Sequence, residues 1–100
     1  MPLLTAKNAM LVVIDFQVKL MPAIHEGETV LLNAGRLAEA ARLLDVPAVL
    51  TEQYPRGLGA TVPALADVAP AVTKMSFDAC AEPAFLDAVA GDRELVVCGC

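Results

Sequence analysis

Ala9-Met10-Leu11-Val12-Val13-Ile14-Asp15 is the stretch on which the fold turns. Its apolar residues run without alternation, carry β-branches near the centre and stop at a carboxylate. An unbroken apolar run of this length fits a strand covered on both faces, the situation of a central strand in a parallel sheet. Further along, Val30, Ala34, Leu37, Ala41 and Leu44 recur at helical spacings, while Arg36, Glu39 and Arg42 fall mostly off that stripe. The pattern predicts an amphipathic helix over 28–45 packed on the sheet. A short second strand is expected from Pro47 to Thr51, which completes a strand-helix-strand unit with a right-handed crossover.

Beyond it, residues 52–59 are rich in Pro and Gly and predict a loop, and 61–66 predict one or two helical turns. Ala71-Val72-Thr73 reads as a third strand ending at Lys74, residues 83–89 as a short helix closed by Gly91, and 94–98 as a fourth strand. Alternating strands and helices specify an α/β fold, an open parallel sheet with helices on both faces. Ligands in such sheets bind beyond the carboxyl ends of the strands, where strand order reverses. That rule brings together Asp15, Lys74 and the Gly99-Cys100 end of the fourth strand.

The chain has 100 residues, 57% of them hydrophobic, and a net charge of −5. The apolar content suits strands buried on both faces and argues against disorder. Acids and bases are scattered, so there is no basic stripe for nucleic acid or anionic lipid. No segment has the length of a membrane span, and the start lacks a basic region leading into a long apolar run. The cysteines Cys80, Cys98 and Cys100 are odd in number, and the last two are too close to suggest a disulfide framework. The expectation is a cytoplasmic protein with reduced thiols.

Asp15 ends a buried strand, where an ionised carboxylate is costly unless a positive or hydrogen-bonding group answers it. Lys74 is the candidate partner. Taken singly, Asp15 also fits a turn cap and Lys74 a solvated strand end. The surrounding words narrow the choice: Val13-Ile14-Asp15-Phe16-Gln17, Thr51-Glu52-Gln53-Tyr54-Pro55-Arg56-Gly57-Leu58-Gly59 and Thr73-Lys74-Met75-Ser76-Phe77-Asp78-Ala79. In this order they resemble the isochorismatase-like hydrolases, and the second is most similar to the branch called isochorismatase domain-containing proteins.

The resemblance implies a Rossmann-like, three-layer α/β/α domain with a Cys-Asp-Lys triad, Asp15 and Lys74 matching the family aspartate and lysine. Asp15 would take the thiol proton and Lys74 would hold Asp15, so that the cysteine attacks a carbonyl carbon and forms a thioester. In that family the nucleophile follows the fourth strand, several residues past the glycine matched by Gly99. Residues 1–100 are therefore expected to be the amino-terminal portion of one hydrolase domain, cut after its fourth strand, with the nucleophile beyond residue 100. Cys98, Cys100 and Cys80 are read as packing thiols.

The resemblance further implies a small-molecule substrate, amide-like or a related carbonyl compound, and a homo-oligomer. Phe16, Gln17, Tyr54 and Phe77 are candidates for the substrate pocket, the phenylalanines equally for the core. No cofactor and no metal are expected. Where the metal-binding branch has histidines after the second strand, this chain has Glu52-Gln53-Tyr54, and the lone His25 reads as a loop residue. Gly57-Leu58-Gly59 lacks the strand-then-helix setting of a phosphate loop. Two other readings stay open: vinyl ether hydrolysis of the isochorismatase type, which needs no cysteine, and a non-catalytic oligomeric interaction module.

One outcome follows for the 100-residue chain on its own. With Leu95, Val96 and Val97 on a strand with an unpaired edge and incomplete helical cover, it should self-associate, bind a hydrophobic dye and show no hydrolase activity. A sharp cooperative melt from a monomer, or turnover by it, would contradict this reading.

Overall fold

Val12 has a strand neighbour on each side, Val49 on one and Val97 on the other, as its unbroken apolar surroundings require. The computed structural model describes residues 3–100. Its strands β1 (Ala9–Ile14), β2 (Ala48–Gln53), β3 (Ala71–Lys74) and β4 (Glu94–Gly99) form a parallel sheet in the order β3-β2-β1-β4. Helices α1 (Gly27–Leu43), α2 (Pro55–Leu58) and α3 (Pro83–Ala88) lie between them, with 3-10 turns at Ala6–Asn8, Met21–Ala23 and Ala79–Ala81.

The chain steps outward from β1 to β2 and β3, then returns to the other side of β1 to form β4. Right-handed connections that step in opposite directions place their helices on opposite faces of the sheet. Packing follows that rule. Leu11, Val13 and Leu50 meet Ala34 and Ala41 of α1 on one face, while Met10, Val12 and Val49 meet Phe85 of α3 on the other. The reversal of strand order lies between β1 and β4, so Asp15 and Gly99 flank it.

The helix expected over 28–45 is present, but its inward face differs from the predicted stripe. Ala34 and Ala41 are buried and Val30, Leu31 and Ala38 partly so, whereas Leu37 and Leu44 are exposed. Small residues at the contact let the helix approach the sheet closely, and the two leucines instead border a groove with Leu4 and Val96.

Two local expectations are corrected. β2 continues through Glu52 and Gln53, and Pro55–Leu58 form one helical turn instead of loop, with Pro55 at a first-turn position where its missing N–H costs nothing. Residues 61–66 are successive turns, not helix. The Val62 N–H is taken by the Phe16 carbonyl, which ties this segment to the chain leaving β1.

On β4, Val96 and Cys98 pack against the α1-side core, while Leu95 and Val97 share the other face with their partners Met10 and Val12 and remain exposed. At the end of β4, a Cβ on Gly99 would lie 2.7 Å from the Ile14 Cβ and 2.8 Å from the Ile14 carbonyl oxygen. Neither neighbour can yield without moving β1. Gly99→Ala should therefore destabilise the protein by about 1–3 kcal/mol, the usual cost of overpacking. Chemical denaturation of the intact gene product measures it, and an unchanged midpoint would show that the two strand ends have slack.

Candidate active site

Asp15 leaves the strand in the left-handed region, with φ 58°, a conformation aspartate tolerates better than most residues. The consequence is a change of phase. Met10, Val12 and Ile14 face α3, and strict alternation would send Phe16 the same way; after the turn at Asp15 it packs instead with Leu11 and Val13 on the α1 side. A tight turn follows, in which the Gln17 N–H donates to the Asp15 carbonyl at 2.9 Å. Phe16 is wholly buried, so it supports the site from beneath and offers no surface to a ligand.

The Asp15 carboxylate is held from two sides. The Thr51 hydroxyl donates to Oδ1 at 2.8 Å and in turn accepts from the Asp15 N–H at 3.2 Å. Lys74 Nζ lies 2.9 Å from Oδ2. Lys74 comes from β3, one strand removed from β1, and its long side chain reaches across the end of β2. It is 1% exposed, and its ammonium finds two further acceptors, Gln53 Oε1 at 2.8 Å and the Ser76 carbonyl at 3.2 Å. Each ammonium hydrogen thus has a partner.

Gln17 extends the sheet beyond its last backbone pair, Ile14 with Thr51. Its side-chain amide imitates a peptide group: Oε1 accepts from the Gln53 N–H at 2.7 Å and Nε2 donates to the Gln53 carbonyl at 2.8 Å. The second Nε2 hydrogen goes to the Gly59 carbonyl at 2.8 Å. Gln17 is fully buried and its amide is engaged by backbone. Glu52 performs a related task, accepting from both the Thr61 N–H and hydroxyl at 2.8 Å. The chain beyond β1 and the chain beyond β2 are joined by side chains where backbone pairing ends.

Of the two remaining pocket candidates, Tyr54 directly follows Gln53 in the chain. It is half-exposed, adopts φ 38°, and donates its N–H to the Lys74 carbonyl at 2.9 Å. Its ring covers Gly57, where a Cβ would meet ring carbons at 2.5 Å and 2.7 Å. Phe77 is 89% exposed and is not packed with the buried pair. His25 is exposed on its loop, 3.9 Å from the Glu26 carboxylate. Among the described residues, no three His, Cys, Asp or Glu side chains gather as metal ligands would, and no helix is long and apolar enough to cross a membrane.

The thiols are unpaired. Cys98 packs on the core, and partial burial together with the neighbouring Cys100 pushes it above the usual thiol range. Cys100, with its sulfur 3.3 Å from that of Met21, is raised by burial and by the Asp15 carboxylate. Both causes oppose the thiolate, the reactive form. Thr51 and Gln53 are the participants that residue-by-residue reading of the sequence did not single out. Their signal was the polar run Thr51-Glu52-Gln53 directly after the apolar stretch of a buried strand.

Residues 9–100 match the family model described as the isochorismatase domain. Isochorismatase domain-containing protein 2 of Danio rerio is 39% identical over 99 residues, which is 96% of this chain and 50% of that protein. Among solved structures, one named MAR1 ribonuclease, from Caenorhabditis elegans, superposes with a TM-score of 0.87 at 33% identity over 96% of this chain and 52% of that one. YcaC from Pseudomonas aeruginosa, with hexane-2,5-diol and covalent acrylamide, gives a TM-score of 0.84 at 26% identity over the same shares, 96% and 52%. The chain spans about half the length of these relatives.

The Thr51 contacts can be tested without a substrate. Thr51→Val keeps the shape of the side chain and leaves the Asp15 Oδ1 without its hydroxyl donor, at a cost of about 1–3 kcal/mol. Thr51→Ser should lose clearly less. A stable Thr51→Val beside a destabilised Thr51→Ser, read from denaturation midpoints of the intact protein, would mean that the methyl group matters and the hydroxyl does not.

Proposed function

This chain belongs to the isochorismatase family, and from that premise we propose that it supplies the aspartate and lysine of a cysteine hydrolase acting on a small amide-like or related carbonyl substrate. The observation that carries the proposal is the Lys74–Asp15 ion pair at 2.9 Å, with both side chains almost fully buried. Burying a charged pair costs several kcal/mol per ion in desolvation, by order of magnitude, and adds little net stability over a well-packed apolar pair. A pair kept under those terms at the carboxyl ends of parallel strands, beside the reversal of strand order, fits a working site better than a structural one.

In this reading the nucleophilic cysteine lies beyond Cys100 in the intact protein. Asp15 takes its proton through a remaining lone pair, while Lys74 keeps the carboxylate oriented and offsets the negative charge of the thiolate. The thiolate attacks the carbonyl carbon, and the C–N bond breaks as the amine leaves with the proton held by Asp15. Water then cleaves the thioester and frees the acid. Backbone N–H groups at the turn after β4 are the donors for the oxyanion. Covalent acrylamide on the Pseudomonas aeruginosa protein supports a nucleophile in this fold, since acrylamide is an electrophile that thiolates capture.

The unpaired thiols favour a cytoplasmic setting, and a homo-oligomer is part of the same proposal, carried by the family resemblance alone. The ribonuclease activity named for the Caenorhabditis elegans structure is not carried over. A net charge of −5 without a basic stripe opposes binding to a phosphate backbone.

In the intact gene product, Asp15→Asn and Lys74→Ala should each lower turnover of a small amide, identified by screening, by about 10²–10⁴-fold, the usual contribution of acid-base groups. Both variants should keep the fold at reduced stability, since each leaves a buried charge without its partner. Mass spectrometry after brief treatment with iodoacetamide near neutral pH should place the adduct on a cysteine other than Cys80, Cys98 or Cys100, with activity lost in step. Near wild-type turnover in either variant, or inactivation that tracks Cys100, would overturn the assignment. Turnover insensitive to thiol alkylation would instead favour vinyl ether hydrolysis.

A further inference from the structure

We infer that Gln53 is the positioning residue of this site: its side-chain oxygen, presented by a backbone that Gln17 clamps, fixes the Lys74 ammonium against Asp15. The inference deepens the cysteine hydrolase reading and rests on it for the meaning of the Asp15–Lys74 pair. Its own evidence is geometric. Gln53 and Lys74 are directly opposed in the β2–β3 register, so the Gln53 side chain lies along the route by which Lys74 crosses toward Asp15. The contact from Nζ to Gln53 Oε1, at 2.8 Å, is as short as the ion pair itself at 2.9 Å.

Gln53 is in turn held at both backbone polar groups by the Gln17 amide, at 2.7 Å and 2.8 Å. That clamp determines where the Gln53 side chain starts. A buried residue fastened through its backbone and bonded at its tip has little rotamer freedom left, which is how a supporting group fixes a working one. A neutral acceptor is the chemically suitable choice at this position. It satisfies one ammonium hydrogen without dividing the positive charge between two carboxylates, so the charge of Lys74 is committed to Asp15.

The other titratable groups nearby are disposed elsewhere. Glu52 accepts from Thr61, Glu82 accepts from the Met75 N–H at 3.0 Å, and the Cys100 thiol, its sulfur 3.3 Å from that of Met21, feels the Asp15 charge without a hydrogen bond to it.

Two near-isosteric substitutions in the intact gene product separate positioning from mere packing. Gln53→Met removes the acceptor and adds no charge; Gln53→Glu keeps an acceptor and adds a carboxylate. The first readout is the Lys74 ammonium signal in 15N-lysine NMR, assigned by its loss in Lys74→Ala. In the parent protein its hydrogens are bonded away from water and the signal should be visible at neutral pH. Gln53→Met should accelerate their exchange by about tenfold or more, as a bond is lost, whereas Gln53→Glu should preserve the signal.

The second readout is the pH dependence of iodoacetamide alkylation of the reactive thiol. Gln53→Glu should move its midpoint upward by about one pH unit, because a second carboxylate opposes the thiolate. Gln53→Met should move it less. An unchanged ammonium signal in folded Gln53→Met, or a midpoint that responds equally to the two variants, overturns the inference. Failure of the hydrolase reading looks different: the NMR difference would persist while Asp15→Asn left alkylation untouched.

Discussion

Lys74 has to bury an ammonium group, and much of the architecture at the carboxyl end of the sheet answers that requirement. Removing such a charge from water is tolerable only when each of its hydrogens meets an acceptor and an opposite charge is close. Asp15, Gln53 and the Ser76 carbonyl meet it from β1, β2 and the chain after β3. None of these acceptors is local to the others, so the ion pair can form only when the strands are in register. It therefore links the ends of neighbouring strands more specifically than their apolar contacts do, since apolar packing tolerates small slips and a buried charge does not.

The same region has a second constraint, the end of backbone pairing. β1 stops at Ile14 because Asp15 turns into the left-handed region, yet the chain must stay attached to β2 for another few residues if the carboxylate is to be held. Side chains take over from backbone there. Thr51 grips Asp15, Gln17 pairs with Gln53 as a strand residue would, and Glu52 binds Thr61. The turn at Asp15 also moves Phe16 to the α1-side core, where it fixes the base of the loop. One backbone conformation thus serves both to set a buried carboxylate at the end of β1 and to anchor the chain that follows.

Strand order supplies the third element. Because β4 returns to the far side of β1, the ends of β1 and β4 lie side by side, and Gly99 closes that approach by having no side chain to hold the two apart. Asp15 and the end of β4 therefore flank the reversal of strand order. The Cys100 N–H, donating to the Ile14 carbonyl at 3.4 Å, ties the end of β4 to the residue before the carboxylate.

How much of this was legible in the sequence depended on the range of the interactions. Apolar runs located the four strands to within a residue or two, and helical spacing located α1, because burial on two faces or on one leaves a period in the chain itself. Asp15 and Lys74 were legible for a related reason: a charged residue closing a buried strand contradicts its surroundings and asks for a partner. The inward face of α1 was read less well, since Leu37 and Leu44 look like core residues in a stripe but alanines make the close contact. The tertiary structure alone decided that Gln17 and Gln53 act together, that Phe16 changes faces, and that residues 61–66 are held as turns instead of helix. Each of these outcomes depends on hydrogen bonds between segments some 36 to 46 residues apart, or on a single left-handed residue. No local period records such contacts, because an amide or a carboxylate in the sequence does not state which distant group will satisfy it.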